Sequence, residues 1–276
     1  MFWNSLEAFV SCFSEIPLPV DHTDYIKRDS NKPFSSLSHF QIFLLDFPIP
    51  MASSDQDVTL LTFWPSPFSM RAKLALLLKG IEHEDLPEDL GNKSKILLES
   101  NPVHKKVPVL IHKGKPIAES AIIVHYIDEV WPGTSPLLPK DAFLRAEHRF
   151  WSDFIDKKLL DCFMRFVHGN DKDAANEEFI ANCVLLEGAL TKLGSTQEGP
   201  FFGGASFSFL DVMLAPFVVW IPGIVGVMGL KHASEEQCPR LHKFFEAVSE
   251  HPAAKGALPP VEKLKEFIQV RFAVKK

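Results

Sequence analysis

The chain has 276 residues and a net charge of −6, with 46% hydrophobic, 11% aromatic and 23% charged residues. That is enough chain for two domains with a sizeable core, in the composition of an ordinary soluble globular protein, and the acidic balance gives no reason to expect nucleic acid as a partner. Four scattered cysteines (Cys12, Cys162, Cys183, Cys238) with no Cys-x-x-Cys spacing argue against a disulfide framework or a zinc site, and for core or surface thiols in a reducing compartment.

Residues 1–50 have no sustained period of 3.6 or 2, several prolines and no basic segment ahead of an apolar run, so a secretory signal fits poorly. Glu7, Glu15, Asp21, Asp24, Asp29 and Asp46 argue against a transit peptide. Met51 opens a plausible start of its own, and residues 1–54 are expected to be a disordered or artefactual extension. From residue 58 the pattern alternates. Val58–Phe63 reads as a buried strand. Ser66 suits an N-cap and Pro67 the first helical position, with Leu74, Leu77 and Leu78 at helical spacing and Gly80 as the stop. His83–Leu86 reads as a second strand, and a polar loop with a short helix follows. Val107–Ile111 and Pro116–Ala118 read as a hairpin around Lys113-Gly114, and Ser120–Trp131 as a helix stopped by Pro132-Gly133. The order β-α-β-α-β-β-α is that of a thioredoxin-like α/β domain, taken to span 55–135.

A proline-rich stretch to Lys140 reads as a linker, and residues 141–276 as an all-helical domain. Ala142–Val167 is expected to be one long helix, and Glu177–Gly194 another. Ser208-Phe209-Leu210-Asp211 resembles a capping box, with Phe207 and Val212 placed as its hydrophobic staple, a folding device rather than a catalytic one. Helices are expected over Pro239–Glu250 and Val261–Val270. No apolar stretch is read as reaching the roughly 20 residues that span a bilayer. Pro222 and several glycines interrupt the most apolar region, Phe217–Leu230, which reads as a buried helix and a turn.

Three pieces of the first domain carry chemistry. Ser66 is a hydroxyl on a strand-to-helix turn, where a hydrogen bond to sulfur and the helix N-terminus both favour a thiolate; the bland alternative is a plain N-cap. Val107-Pro108 is a place where a cis peptide is tolerated, although a trans proline at a strand start is the simpler reading. Glu119-Ser120 puts an acid and a hydroxyl at a helix start, a ready anion site or ordinary capping. Arg71 could add positive potential at the sulfur or brace the fold.

The strings W-P-S-P-F (64–68), E-D-L-G-N-K-S (88–94), N-P-V-H-K-K-V-P-V-L (101–110), E-S-A-I-I-V-H-Y-I-D-E-V-W (119–131) and F-F-G-G (201–204), in this order, resemble the glutathione transferases, and the plant tau class in particular, over roughly residues 57–270. The resemblance implies a glutathione transferase fold: a thioredoxin-like N-terminal domain that binds glutathione and an all-helical domain that holds the electrophile. It implies Ser66 as the catalytic residue that stabilises the glutathione thiolate. Val107 would pair with the cysteinyl backbone once its bond to Pro108 is cis, Glu119 with the γ-glutamyl amine, Ser120 with the γ-glutamyl carboxylate, and Lys93 and Lys106 with the glycyl carboxylate. Small hydrophobic electrophiles would rest on Phe68, Leu160, Met164, Val167, Phe217 and Trp220, with Phe267 as a lid. The tau class often has larger aromatic or charged groups where Leu160, Met164 and Val167 stand, so this pocket is expected to be roomier and less polar.

A cytosolic homodimer with glutathione as co-substrate, no other cofactor, no metal and no membrane partner completes the expectation, with a role in detoxification and stress response. Ser66 and Ser69 stand where a thiol-disulfide oxidoreductase carries cysteine, which argues against that chemistry. A ligandin-type carrier of hydrophobic metabolites and a peroxidase side activity stay open beside conjugation.

Overall fold

Residues 57–133, 136–169, 171–193 and 199–272 are described by the computed structural model. The expected extension over 1–54, the start at Met51, Cys12 and the helix end at Gly194 lie outside the described residues.

Val58–Thr62 forms β1, the apolar inner strand of a four-stranded sheet of order β2-β1-β3-β4. β2 (Glu84–Pro87) runs parallel to it; β3 (Val109–His112) and β4 (Lys115–Ala118) complete an antiparallel set. Parallel pairing demands a crossover, and α1 (Pro67–Leu78) supplies it between β1 and β2. The short helix α2 (Lys95–Ser100) precedes the hairpin, and α3 (Ser120–Val130) leaves β4 and packs against α1. This is the expected thioredoxin-like arrangement.

The second domain corrects the sequence reading in several places. The expected single helix over Ala142–Val167 is α4 (Ala142–Phe154) and α5 (Leu160–His168), joined by a π-helical segment at Ile155–Leu159; hydrophobic spacing does not register a one-residue change in hydrogen-bond pattern. α6 begins at Lys172, five residues earlier than expected, and is described to Leu193. α7 (Phe209–Leu214), α8 (Phe217–Met228) and α9 (Pro239–Glu250) follow. An unforeseen helix, α10 (Pro252–Ala257), starts on a proline, and α11 (Val261–Phe272) closes the described chain. Phe209–Met228 is long and apolar enough, by length and composition, to cross a membrane. The sequence reading missed this by treating Pro222 as a break, yet the helix runs through it. In this structure most of that stretch is buried inside the protein.

Close approaches set the helix packing. A Cβ on Gly223 would lie 2.8 Å from Ile268 Cδ1, the tip of a side chain on α11, so α8 and α11 pack closely there. Two buried carboxylates tie the loops down. Asp128 of α3 accepts from the N–H groups of Leu137 (2.7 Å) and Leu138 (3.0 Å) and is paired with Lys79 Nζ at 2.7 Å, which fixes the linker between the domains.

Asp211 completes the expected capping box with Ser208. It accepts from the N–H groups of Phe202 (2.8 Å), Gly203 (3.2 Å) and Ser208 (2.7 Å) and from the Ser208 hydroxyl (2.6 Å). Burial pushes its carboxyl up to about 6, against these hydrogen bonds, which favour the anion. Removing it strands several buried donors at once. Asp211→Ala is therefore expected to lower stability by about 3 kcal/mol or more, and loss of the Ser208 cap in Ser208→Ala by about 1 kcal/mol. Urea unfolding of the two variants checks this ranking; equal losses would contradict it.

Candidate functional site

Strand register gathers the expected site residues. Thr62 at the end of β1 pairs with Pro87 at the end of β2, Leu61 pairs with Val109 at the start of β3, and Val109 pairs with Ala118 at the end of β4. The segments holding Ser66, Lys93, Val107 and Glu119-Ser120 therefore leave the sheet at the same end, although they lie far apart in sequence.

At this end β1 turns into α1. Ser66 is the N-cap, with extended φ and ψ, and its Oγ accepts from the Ser69 N–H at 3.3 Å. Among the described residues, its hydroxyl proton has no acceptor. Ser69 Oγ in turn accepts from the Phe63 N–H at 3.2 Å, so the two serines tie the turn together. The N-terminus of α1 faces the same end, with Pro67 contributing no N–H and the Ser69 N–H taken by Ser66 Oγ.

The turn is held from the other domain. Trp220 of α8 donates its indole N–H to the Pro65 carbonyl at 3.1 Å, one residue before Ser66. Arg71, only 1% exposed, donates from Nε to the Met213 carbonyl (2.9 Å) and from Nη2 to Asp156 in the π-helical segment (2.7 Å). Its guanidinium also lies 5.3 Å from the centre of the Phe68 ring. Arg71 thus acts as a brace between domains, the second of its two sequence-level alternatives.

Val107-Pro108 is cis, and the Val107 backbone lies outside both ladders of the hairpin. The loop before it is organised by Asn101, which the sequence reading did not single out. Its side-chain amide donates to the Lys106 carbonyl (3.0 Å), and its side-chain oxygen accepts from the His104 N–H (3.1 Å). The Asn101-Pro102 turn signal was the available clue. Glu88, also missed, is buried and accepts from both the hydroxyl (2.6 Å) and the N–H (3.2 Å) of Ser94, which shapes the loop carrying Lys93. Lys93 is brought close to Lys106 and Lys105. Partial burial, then repulsion from Lys106 and Lys105, holds its ammonium below the usual lysine range. Such a cluster of like charges is a ready receptor for an anion.

Glu119 is the N-cap of α3 with φ +73 and makes no side-chain cap bond. A non-glycine residue held there is under strain of about 1–3 kcal/mol. Its carboxylate is half-exposed and lies 3.8 Å from His104 Nε2. Ser120 beside it is buried. An acid, a hydroxyl and uncapped helix N–H groups are thereby presented together.

Of the expected apolar wall, Leu160, Met164, Val167, Phe217 and Trp220 are all buried, while Phe68 is partly exposed beside Arg71. Phe163, not anticipated, lies 5.9 Å from Phe217 and 6.1 Å from Trp220, ring to ring. Phe267 of α11 meets Trp64 edge-on at 5.4 Å and Phe63 at 6.1 Å, so the last helix rests on the Ser66 turn. Among the described residues, no group of three or more His, Cys, Asp or Glu could hold a metal ion. Cys162, Cys183 and Cys238 are free and buried, and burial raises all three thiols.

Comparison with known proteins gives the family and the fold. Residues 56–129 match the glutathione S-transferase N-terminal domain and 172–247 its C-terminal domain. The chain is 42% identical over 214 residues to glutathione S-transferase U19 of Arabidopsis thaliana, covering 77% of this chain and 94% of that one. A tau class glutathione S-transferase from mango, Mangifera indica, superposes with a TM-score of 0.74 at 41% identity, over 78% of this chain and 98% of that one. Rice GST1, solved in complex with glutathione, gives 0.71 at 39% identity, over 78% and 96%.

The two braces across the domains differ in strength. Arg71→Met is expected to cost about 2–3 kcal/mol, because it leaves Asp156 partly buried and unpaired. Trp220→Phe keeps the ring and loses one hydrogen bond, for about 1 kcal/mol. Chemical denaturation followed by circular dichroism measures both; unchanged midpoints would mean that the domains are joined elsewhere.

Proposed function

We propose that this chain, which belongs to the glutathione S-transferase family, ionises the thiol of glutathione beside Ser66 and joins its sulfur to apolar electrophiles held against the helical domain. The observation that carries the reading is the N-cap hydroxyl of Ser66, whose proton has no acceptor among the described residues, at the sheet end where the other expected glutathione contacts converge. A free thiol has a pKa of about 8.5 and is mostly protonated at neutral pH. A hydroxyl donor and a helix N-terminus both favour the anion. Ser66 is a stabiliser in this scheme and forms no covalent bond.

The rest of the tripeptide takes the remaining groups. Ser120 and the first N–H groups of α3 receive the γ-glutamyl carboxylate, and Glu119 its amine. The Val107 backbone pairs with the cysteinyl unit as a short added strand. Lys93 and Lys106 neutralise the glycyl carboxylate. With an aryl chloride, the sulfur's electron pair forms the C–S bond and chloride departs with the electrons of the C–Cl bond. The thiol proton has by then passed to solvent. Holding the two reactants together supplies the rest of the acceleration.

A homodimer is part of the proposal. Phe143 and Phe150, seven residues apart on α4, are strongly exposed, as are Ile122 on α3 and Val103 in the adjoining loop. Apolar groups left outward on α3, on α4 and in the loop before β3 suit burial against a second copy. Buried free thiols and a reduced co-substrate fit a cytosolic site of action. The wholly apolar set Leu160, Met164 and Val167 also suits storage of hydrophobic metabolites, a second use of the same pocket.

Conjugation of glutathione to 1-chloro-2,4-dinitrobenzene tests the reading. Ser66→Ala is expected to lower kcat about 100-fold, as for loss of one donor to a developing anion, while glutathione binding stays within a few-fold. Lys93→Ala with Lys106→Ala is expected to raise the KM for glutathione and leave kcat nearly unchanged. Unaltered turnover in Ser66→Ala would overturn the assignment.

A further inference from the structure

The apolar wall of the helical domain ends in positive charge. On α5, Leu160, Met164 and Val167 share one face, and His168 continues it one turn beyond Met164. On α11, Leu264, Phe267 and Ile268 form the buried face, and Arg271 continues it, four residues beyond Phe267 and three beyond Ile268. The Phe272 and His168 rings meet edge-on at 5.3 Å, which brings the ends of the two faces together.

Two arginines near this end differ in their charge pairing. Arg165, on α5, also has a buried Nε without a hydrogen bond, but its guanidinium is paired with Glu178 at 2.5 Å and Asp161 at 3.8 Å. Arg271 has no ion pair among the described residues, and its Nε is buried with no hydrogen-bond partner. A buried guanidinium donor left without an acceptor costs about 1–3 kcal/mol or more, and at Arg271, unlike Arg71 and Arg165, no carboxylate among the described residues offsets that cost. Its field is felt locally: partial burial and then the nearby Arg271 charge hold the His168 imidazole below its usual range. His168 is thus favoured in its neutral form and leaves Arg271 as the fixed cation at this end.

We propose that the electrophile pocket takes apolar molecules that carry a carboxylate, with the Arg271 guanidinium as the carboxylate's partner. The proposal rests on the transferase reading for what the pocket is, but the carboxylate contact is a matter of binding and can be measured without turnover. The apolar body of such a ligand lies along Leu160, Met164, Val167 and Phe267, and its acid faces the open end beside His168.

A matched pair of ligands isolates the charge: 4-chloro-3-nitrobenzoate and its methyl ester share a ring and a leaving group. Their binding to the glutathione-loaded wild-type protein, Arg271→Gln and Arg271→Lys is measured by calorimetry at a temperature where reaction is slow, and kcat/KM for both is measured alongside. Arg271→Gln is expected to weaken the acid about tenfold, the worth of one charge-assisted contact, and to leave the ester within twofold. Arg271→Lys is expected to keep most of the acid's affinity. Equal losses for acid and ester, or no loss for either, would overturn the proposal. If neither compound nor 1-chloro-2,4-dinitrobenzene is turned over while the acid still depends on Arg271, the transferase reading fails and the carboxylate site stands.

Discussion

The site depends on one joint, the contact of the helical domain with the turn that carries Ser66. The Ser66 and Ser69 hydroxyls tie the turn locally but do not fix it against the helical domain. Here the Pro65 carbonyl is tied to Trp220, 155 residues away, and Arg71, one turn into α1, reaches Met213 and Asp156 across the boundary. Both groups are buried, so their hydrogen bonds are made in a low dielectric where leaving them unmade is costly. The same helical domain that carries the expected apolar wall thereby also fixes the geometry of the turn that bears Ser66. A shift of either domain would disturb both halves of the site together.

Two further buried carboxylates make that joint dependable. Asp128 gathers the linker and Lys79, at the C-terminal end of α1, while Asp211 gathers the Phe202-Gly203 turn at the start of α7. Phe209 then donates its N–H to the Leu137 carbonyl at 2.7 Å, which links the linker to α7 directly. Burying a carboxylate is expensive unless its oxygens are fully used, and each of these accepts several donors. Asp211 carries the opposing pulls openly: burial favours the neutral acid, and four donors favour the anion.

Much of this was legible in the sequence because the signals are local. Ser66-Pro67 announces a helix start, Ser208 and Asp211 a capping box, and Lys113-Gly114 a hairpin, each read from neighbouring residues. Cross-domain contacts were not legible. Arg71 stayed ambiguous because its partners lie 85 and 142 residues away, and Trp220 was read only as a wall when it also holds Pro65. Asn101 and Glu88 were passed over because loop-organising side chains leave no periodic trace. The π-helical segment and α10 were missed for a related reason: a changed hydrogen-bond pattern and a six-residue helix perturb hydrophobic spacing too little to register. Positive φ at Glu119 could not be foreseen, since glutamate has no preference for that region.

The central claim is that the Ser66 turn, so held, stabilises a sulfur anion. The most direct measurement is a pH titration of the thiolate absorbance of glutathione bound to the wild-type protein, with free glutathione as reference. The account predicts an apparent pKa at least about one unit below that of the free thiol. A bound thiol that titrates where the free thiol does would contradict it.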